Sequence, residues 1–280
     1  MEQIKEDKIR EKVRNAIKDF SENFEVRYMR EITAPTGVIN SKKNNAFVSE
    51  LGNEFMFYSA FCRSFDSSFG KVLEKLSNDI ADISYEVVLE KISSYLLPEQ
   101  IQRKSNIMNE YDKHIKPKRE DYTSLHAYKP ANVDSYKKQH VTDNHFYNPE
   151  TKEHFIIELK AGGDLDIKKA KSEKEALIDE YYILLNALED SEETVKIYLA
   201  TAYNMYGEGT EWKQERVKQF FSDDELLIGK DYWNFVCYDK DGYDIIIDEY
   251  KKSSKYILEA LDRIKNAYFN WHIVKNQIEK

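Results

Sequence analysis

At 280 residues the chain is long enough to bury one sizeable core as a single domain, and it carries 33% charged residues and a net charge of −9. With a mean hydropathy of −0.71 it has no apolar run long enough to span a bilayer, and its charged first residues lack a signal-peptide core, so a soluble cytoplasmic protein is expected. Cys62 and Cys237 lie far apart without a CxxC and give no support to a disulfide framework or a structural zinc site.

In chain order, residues 1–100 read as mainly helical. Ile9, Val13, Ile17 and Phe20 predict a packing helix over 3–20. Pro35 and Gly37 mark a turn within an irregular stretch over 25–45. Phe47, Leu51, Phe55, Tyr58 and Phe61 form a helical stripe expected to be core. The segment Arg63-Ser-Phe-Asp-Ser-Ser-Phe-Gly70 then reads as a helix start, with capping hydroxyls that also suit phosphate contact. A further helix is expected over 84–95, closed by Pro98. Residues 101–142 read as a basic, loop-rich arm, or as an ordinary solvated connector. Between Arg103 and His140 there are nine Lys and Arg against five acids, with Tyr111, Tyr122, Tyr128 and Tyr136 interleaved.

Residues 143–236 read as an α/β core that opens on a hairpin. Phe155, Ile157 and Leu159 alternate with Ile156, Glu158 and Lys160, which places an acid and a base on one face of a strand. Pro149-Glu-Thr-Lys152 supplies the turn, and a four-residue turn sets Asp143 opposite Glu158. Opposed residues have Cβ atoms about 5 Å apart, and two carboxylates at that distance repel by about 3 kcal/mol at an effective dielectric near 20. A divalent cation relieves that repulsion. His145 and His154 are expected near this site or on the hairpin surface. Ala161-Gly-Gly163 forms a loop, Ser172 to Glu175 reads as a capping box, and Leu177, Tyr181, Leu184 and Leu188 form a helix face. Strands are expected over 195–202 and 226–229, helix over 211–221, and an aromatic turn or helix over 230–236. Residues 244–280 read as a terminal helix whose near-heptad stripe suits a second subunit or its own core equally. No nucleotide-binding glycine loop, GxSxG elbow or HExxH pair occurs.

Acid-x-Lys triplets are common here, so context separates Glu158-Leu-Lys160 from the rest. The chain resembles the PD-(D/E)XK nucleases, and within them type II restriction endonucleases of the TdeIII kind, which act on GGNCC-type sites. The resemblance is carried by Asn44-Asn-Ala-Phe47, by Arg63 to Gly70, by Phe155-Ile-Ile-Glu-Leu-Lys-Ala-Gly-Gly-Asp-Leu-Asp166, by Lys171 to Leu177, and by Gly229-Lys-Asp-Tyr-Trp-Asn-Phe235. Thr142 and Ala46 stand where the pattern often has proline.

The resemblance implies a restriction-endonuclease-like fold, a central mixed β-sheet flanked by helices with helical N- and C-terminal segments. It implies Asp143, Glu158 and Lys160 as catalytic residues, and Mg²⁺ held by Asp143, Glu158 and the Leu159 carbonyl; Glu54 or Glu74 on the preceding helices are candidates for a second ion. It further implies a homodimer on double-stranded DNA. Arg63, Ser67, Ser68, Lys71, Lys168, Lys169 and Lys171 are expected to contact the DNA because they lie in or beside the matching blocks. The residues also admit a nuclease without site specificity, a non-catalytic DNA-binding protein, or a helical interaction module.

Overall fold

The computed structural model describes residues 1–123, 136–189 and 191–278, with backbone alone over 272–278. In chain order they form α1 (Gln3–Thr33), α2 (Ala46–Ser49), α3 (Gly52–Ala81), β1 (Glu86–Val87), β2 (Ile92–Tyr95), α4 (Pro98–Asp112), α5 (Glu120–Thr123), β3 (Lys137–His140), β4 (Asn144–Asn148), β5 (Glu153–Lys160), α6 (Ile167–Ala187), β6 (Thr194–Thr201), α7 (Glu215–Lys218), β7 (Leu226–Ile228), α8 (Lys230–Val236) and α9 (Gly242–Ile278). This is the expected α/β class, a mixed sheet with helices around it and helical terminal segments. Two compact units divide the chain, residues 1–76 with 244–280, and residues 77–243. No helix among the described residues is long and apolar enough to cross a membrane.

The first unit is helical. The stripe begun by Ile9 continues through Phe24, Tyr28 and Ile32, all buried, so α1 runs to Thr33 rather than stopping at residue 20. It ends before Pro35, whose ring disfavours helical geometry in the residue ahead of it. Phe24 meets Phe61 edge-on at 5.3 Å, and Phe57 lies 4.9 Å from Tyr268, which joins α1, α3 and α9 in one core. Arg14–Glu249 at 2.8 Å and a two-pronged Arg263–Glu25 pair at 2.8 Å fix α1 against α9. Ile257, Ile264 and Tyr268 of α9 are buried within this unit, so that face serves the chain's own core.

The stripe from Phe47 is a correction. Phe47 is 88% exposed and Leu51 59%, Phe55 and Tyr58 are also exposed, and only Phe61 is buried. Gly52, at φ +85, breaks the helix between α2 and α3. The inward face of α3 restarts one residue out of phase, on Met56, Phe57 and Ala60. Residues 63–70 are another correction, since they lie inside α3 rather than at its start.

In the second unit the sheet order is β1-β4-β5-β6-β7, antiparallel from β1 to β5 and parallel from β5 to β7. Ile156, Ile197 and Leu199 share a buried cluster with Leu177, Ile178 and Tyr182 of α6. Ring contacts gather Tyr85, Phe146, Phe155, Tyr198 and Phe235 into an aromatic cluster. The expected helix over 84–95 is instead β1 and β2, whose edges pair with β4 and β3. Pro98 opens α4 at its first turn, where the missing N–H costs nothing. The described residues of the basic arm are also largely folded, in α4, α5 and β3. Tyr111 and Tyr122 are fully buried, Lys104 pairs with Asp179 at 2.6 Å, and Arg119 pairs with Asp224 at 2.8 Å. Tyr128 lies outside the described residues. Of residues 211–221 only α7 is α-helical.

Candidate active site

The site is built on the β4–β5 hairpin. Pairing runs from Asn148↔Glu153 to Asn144↔Ile157, and one further step in that register brings Asp143 opposite Glu158. The Leu159 N–H donates to Asp143 Oδ2 at 3.1 Å. A strand residue presents its N–H and C=O on the same edge, so the Leu159 carbonyl leaves the chain on the side where Asp143 stands. Asp143 is held from behind by Asn144, which is buried and donates to Ser77 Oγ at 3.0 Å and to Asn78 Oδ1 at 2.9 Å. Tyr232 Oη donates to Asn144 Oδ1 at 3.0 Å. Phe155, Ile157 and Leu159 alternate along β5, and that alternation directs Glu158 and Lys160 to the other side.

After Lys160 the chain must turn sharply. Gly163 adopts φ +72, and a Cβ there would stand 2.5 Å from the Thr201 methyl, so only glycine fits. The loop leads into α6, where Asp166 is the N-cap, its side chain accepting from the Lys169 N–H at 2.7 Å. The expected capping box at residues 172–175 is therefore corrected, because those residues lie within the helix. This earlier start puts Glu173 on the inner face of α6, with its Oε1 3.1 Å from Lys160 Nζ and 2.6 Å from Lys169 Nζ. Lys160 is also ion-paired with Glu158.

Charge is concentrated here under partial burial. Burial and the charge of Asp143 push the Glu158 carboxyl up to about 8, against the opposing pull of Lys160. Burial raises Asp143 too, with Lys160 and the Leu159 N–H working the other way. Burial pulls Lys160 down, but Glu158 and Glu173 outweigh it and raise its pKa, so it remains an ammonium. For Glu173, Lys169 and Lys160 overcome burial and lower the pKa.

Among the described residues no three His, Cys, Asp or Glu side chains stand together as a metal-binding group. The donor set nevertheless suits a hard cation that keeps much of its water. Asp143 and Glu158 face each other across the hairpin, where burial and the Asp143 charge raise the Glu158 pKa, and Mg²⁺ is commonly held by one or two carboxylates with several waters. Asp143, Glu158 and the Leu159 carbonyl are the groups that would hold it.

The remaining expected residues fall in several places. Lys168 is exposed and has no carboxylate partner among the described residues. Lys169 is drawn into the Glu173 cluster, and Lys171 is paired with Asp112 at 2.6 Å. Arg63, Ser67, Ser68 and Lys71 lie on α3 in the helical unit and line one recess together. Glu54 and Glu74 also belong to that unit. His145 and His154 are buried rather than on the hairpin surface, with His145 Nε2 2.9 Å from His154 Nδ1. Burial and the neighbouring ring push His145 down to about 4.

Glu173 was hidden by the misplaced helix start. Counted from Asp166, it sits on the apolar stripe of Ala170, Leu177, Tyr181 and Leu184, and an acid on such a stripe was the available signal.

A mixed sheet with helices around it, and an acid-and-lysine cluster at the carboxyl end of a parallel strand, make an α/β protein whose candidate site lies at the strand ends, where ligands of such sheets commonly bind. Residues 5–254 match the family model described as type II restriction endonuclease, HinfI, and the chain belongs to that family. Membership makes it a site-specific deoxyribonuclease that binds and cleaves double-stranded DNA as a type II restriction endonuclease. No curated protein and no solved structure matches the chain.

Proposed function

We propose that the chain is a Mg²⁺-dependent restriction endonuclease with a PD-(D/E)XK site at Asp143, Glu158 and Lys160. In this reading residues 1–280 act as one nuclease domain in the cytoplasm, as a homodimer on a palindrome of the GGNCC type. The observation that carries it is the alignment of the Asp143 and Glu158 carboxylates across the Leu159 peptide, with Lys160 beside them. The GGNCC site itself rests on the sequence resemblance.

Each residue has a distinct task. Asp143 and Glu158 provide the anionic oxygens, and the Leu159 carbonyl would be a further donor beside Asp143. Mg²⁺, when bound, lowers the pKa of its water and offsets charge on the scissile phosphate. Lys160, ion-paired with Glu158 and Glu173, serves as a cation that steadies charge on the phosphoryl oxygens. Lys168, exposed at the first turn of α6, contacts a phosphate of the substrate.

Digestion of a plasmid of known sequence with Mg²⁺ is the test. Discrete fragments whose ends map to GGNCC palindromes are expected. Ends at another palindrome would refute the site but keep the mechanism, and a smear would refute sequence-specific cutting. Equal cutting in excess chelator would refute the role of Mg²⁺.

A further inference from the structure

We propose that the helical unit carries a separate phosphate-binding recess, formed by α1, α3 and the loop between α1 and α2, which grips the backbone of duplex DNA. The inference rests on the reading of DNA as substrate, and it assigns to this unit a binding task distinct from cleavage.

The recess has a volume of about 660 Å³, and no Asp or Glu lines it. Its cations are Arg27, Lys42, Arg63 and Lys71. Among the described residues Lys42, Arg63 and Lys71 have no carboxylate partner. This contrasts with Arg10, Arg14 and Arg263 of the same unit, which are ion-paired. Arg27 is oriented mainly by hydroxyls. Its Nη2 donates to Ser64 Oγ at 2.7 Å and its Nη1 to Ser68 Oγ at 3.2 Å, and its guanidinium lies 4.9 Å from the Phe24 ring centre. The carboxylate nearest it is Glu31, at 3.9 Å from Nε. Arg27 is thus fixed in direction while much of its charge is left for another anion.

The sequence of α3 gives a second argument. Arg63, Ser67 and Lys71 repeat every four residues, so they share one helical face. Serine is unfavourable inside a helix, and these serines are too far from either end of α3 to cap it. Gly70 lies seven residues beyond Arg63, close to the same face, and a Cβ added there would meet nothing within 4 Å. Its lack of a side chain therefore answers no crowding from the protein. Small hydroxyl side chains and a bare backbone position between unpaired cations form a surface that a phosphodiester chain can approach closely, and duplex DNA presents such anions in series.

The test compares wild type with an Arg63→Gln/Lys71→Gln variant. Affinity for a fluorescein-labelled duplex is measured by anisotropy in chelator across a range of salt, and plasmid cleavage with Mg²⁺ is measured alongside. Each phosphate contact contributes about 0.9 to the slope of log affinity against log salt, so removal of two lowers the slope by about 2. Affinity is expected to fall about tenfold or more, with cleavage recovering at saturating DNA. A Lys8→Gln/Lys251→Gln variant, which loses the same charge from exposed positions of the unit, should keep the wild-type slope. Unchanged binding by the recess variant, in an enzyme that still cuts, overturns the recess and leaves the nuclease reading standing. If wild type neither binds duplex nor cuts plasmid, both fall. Displacement of the duplex by submillimolar inorganic phosphate would make this a small-anion site and overturn the assignment to DNA. Loss of the variant's melting transition would be met with Arg63→Lys, which keeps the charge and should keep the slope.

Discussion

Lys160 is the residue on which the proposed chemistry turns, because it touches both Glu158 and Glu173. In the proposed reaction its ammonium steadies charge on the scissile phosphate. Removing such a donor costs about 100- to 1,000-fold in rate, so Lys160→Ala should abolish measurable cleavage while duplex affinity in Ca²⁺ is retained. Unchanged cutting would sink the assignment. Glu173→Gln should be milder, since Glu173 positions Lys160 without touching the substrate. Its kcat should fall about 10- to 100-fold, the scale of supporting residues around metal sites, with KM little changed. A rise in KM alone would remove Glu173 from this role. The sequence made the facing of Glu158 and Lys160 readable because a strand has a period of two, and the turn length set Asp143 against Glu158. Glu173 was not readable in that way. Its approach depends on where α6 begins, and Asp166, not Ser172, caps that helix.

Elements are locked together near the site by a charge pair with no exposure to water. Lys174 Nζ is 2.5 Å from Glu225 Oε1, and both side chains are fully buried. Tyr122 Oη donates to the same Glu225 oxygen at 2.6 Å, and Ser222 binds the other through its N–H and hydroxyl at 2.9 Å. Burial lowers the pKa of Lys174 against the pull of Glu225, while Lys174 overcomes burial to lower that of Glu225. The pair thus ties α6 to the segment before β7 and to α5. Lys174→Met should destabilise the fold by about 3–5 kcal/mol, because it leaves Glu225 buried without its cation. Urea unfolding would measure it, and a loss below about 1 kcal/mol would show that Glu225 is satisfied by Tyr122 and Ser222 alone. At this scale the sequence was readable where one period ran unbroken, as in β5, α6 and α9. It misled where tertiary pairing decided the outcome. Residues 84–95 became strands because β3 and β4 offer them edges, and the Phe47 stripe lost its phase at Gly52.

The whole molecule must cut two strands, and a two-fold palindrome presents them as equivalent targets. With the one proposed catalytic cluster among the described residues of each chain, and the second strand running in the opposite direction, two chains related by a two-fold axis are the economical arrangement. The buried stripe of α9 is used by the chain's own core, so the proposed dimer would use other surfaces. Sedimentation of the protein with a duplex carrying one cleavage site, in Ca²⁺, should give a complex of two chains per duplex. The cleavage course should agree with that mass. A supercoiled plasmid with one site should pass to linear product with little nicked circle, because both active sites are engaged in one encounter. A complex of one chain per duplex, with nicked circles accumulating before linear DNA, would indicate a monomer that attacks the strands in separate visits. That result would leave the Asp143, Glu158 and Lys160 chemistry intact and remove the dimer.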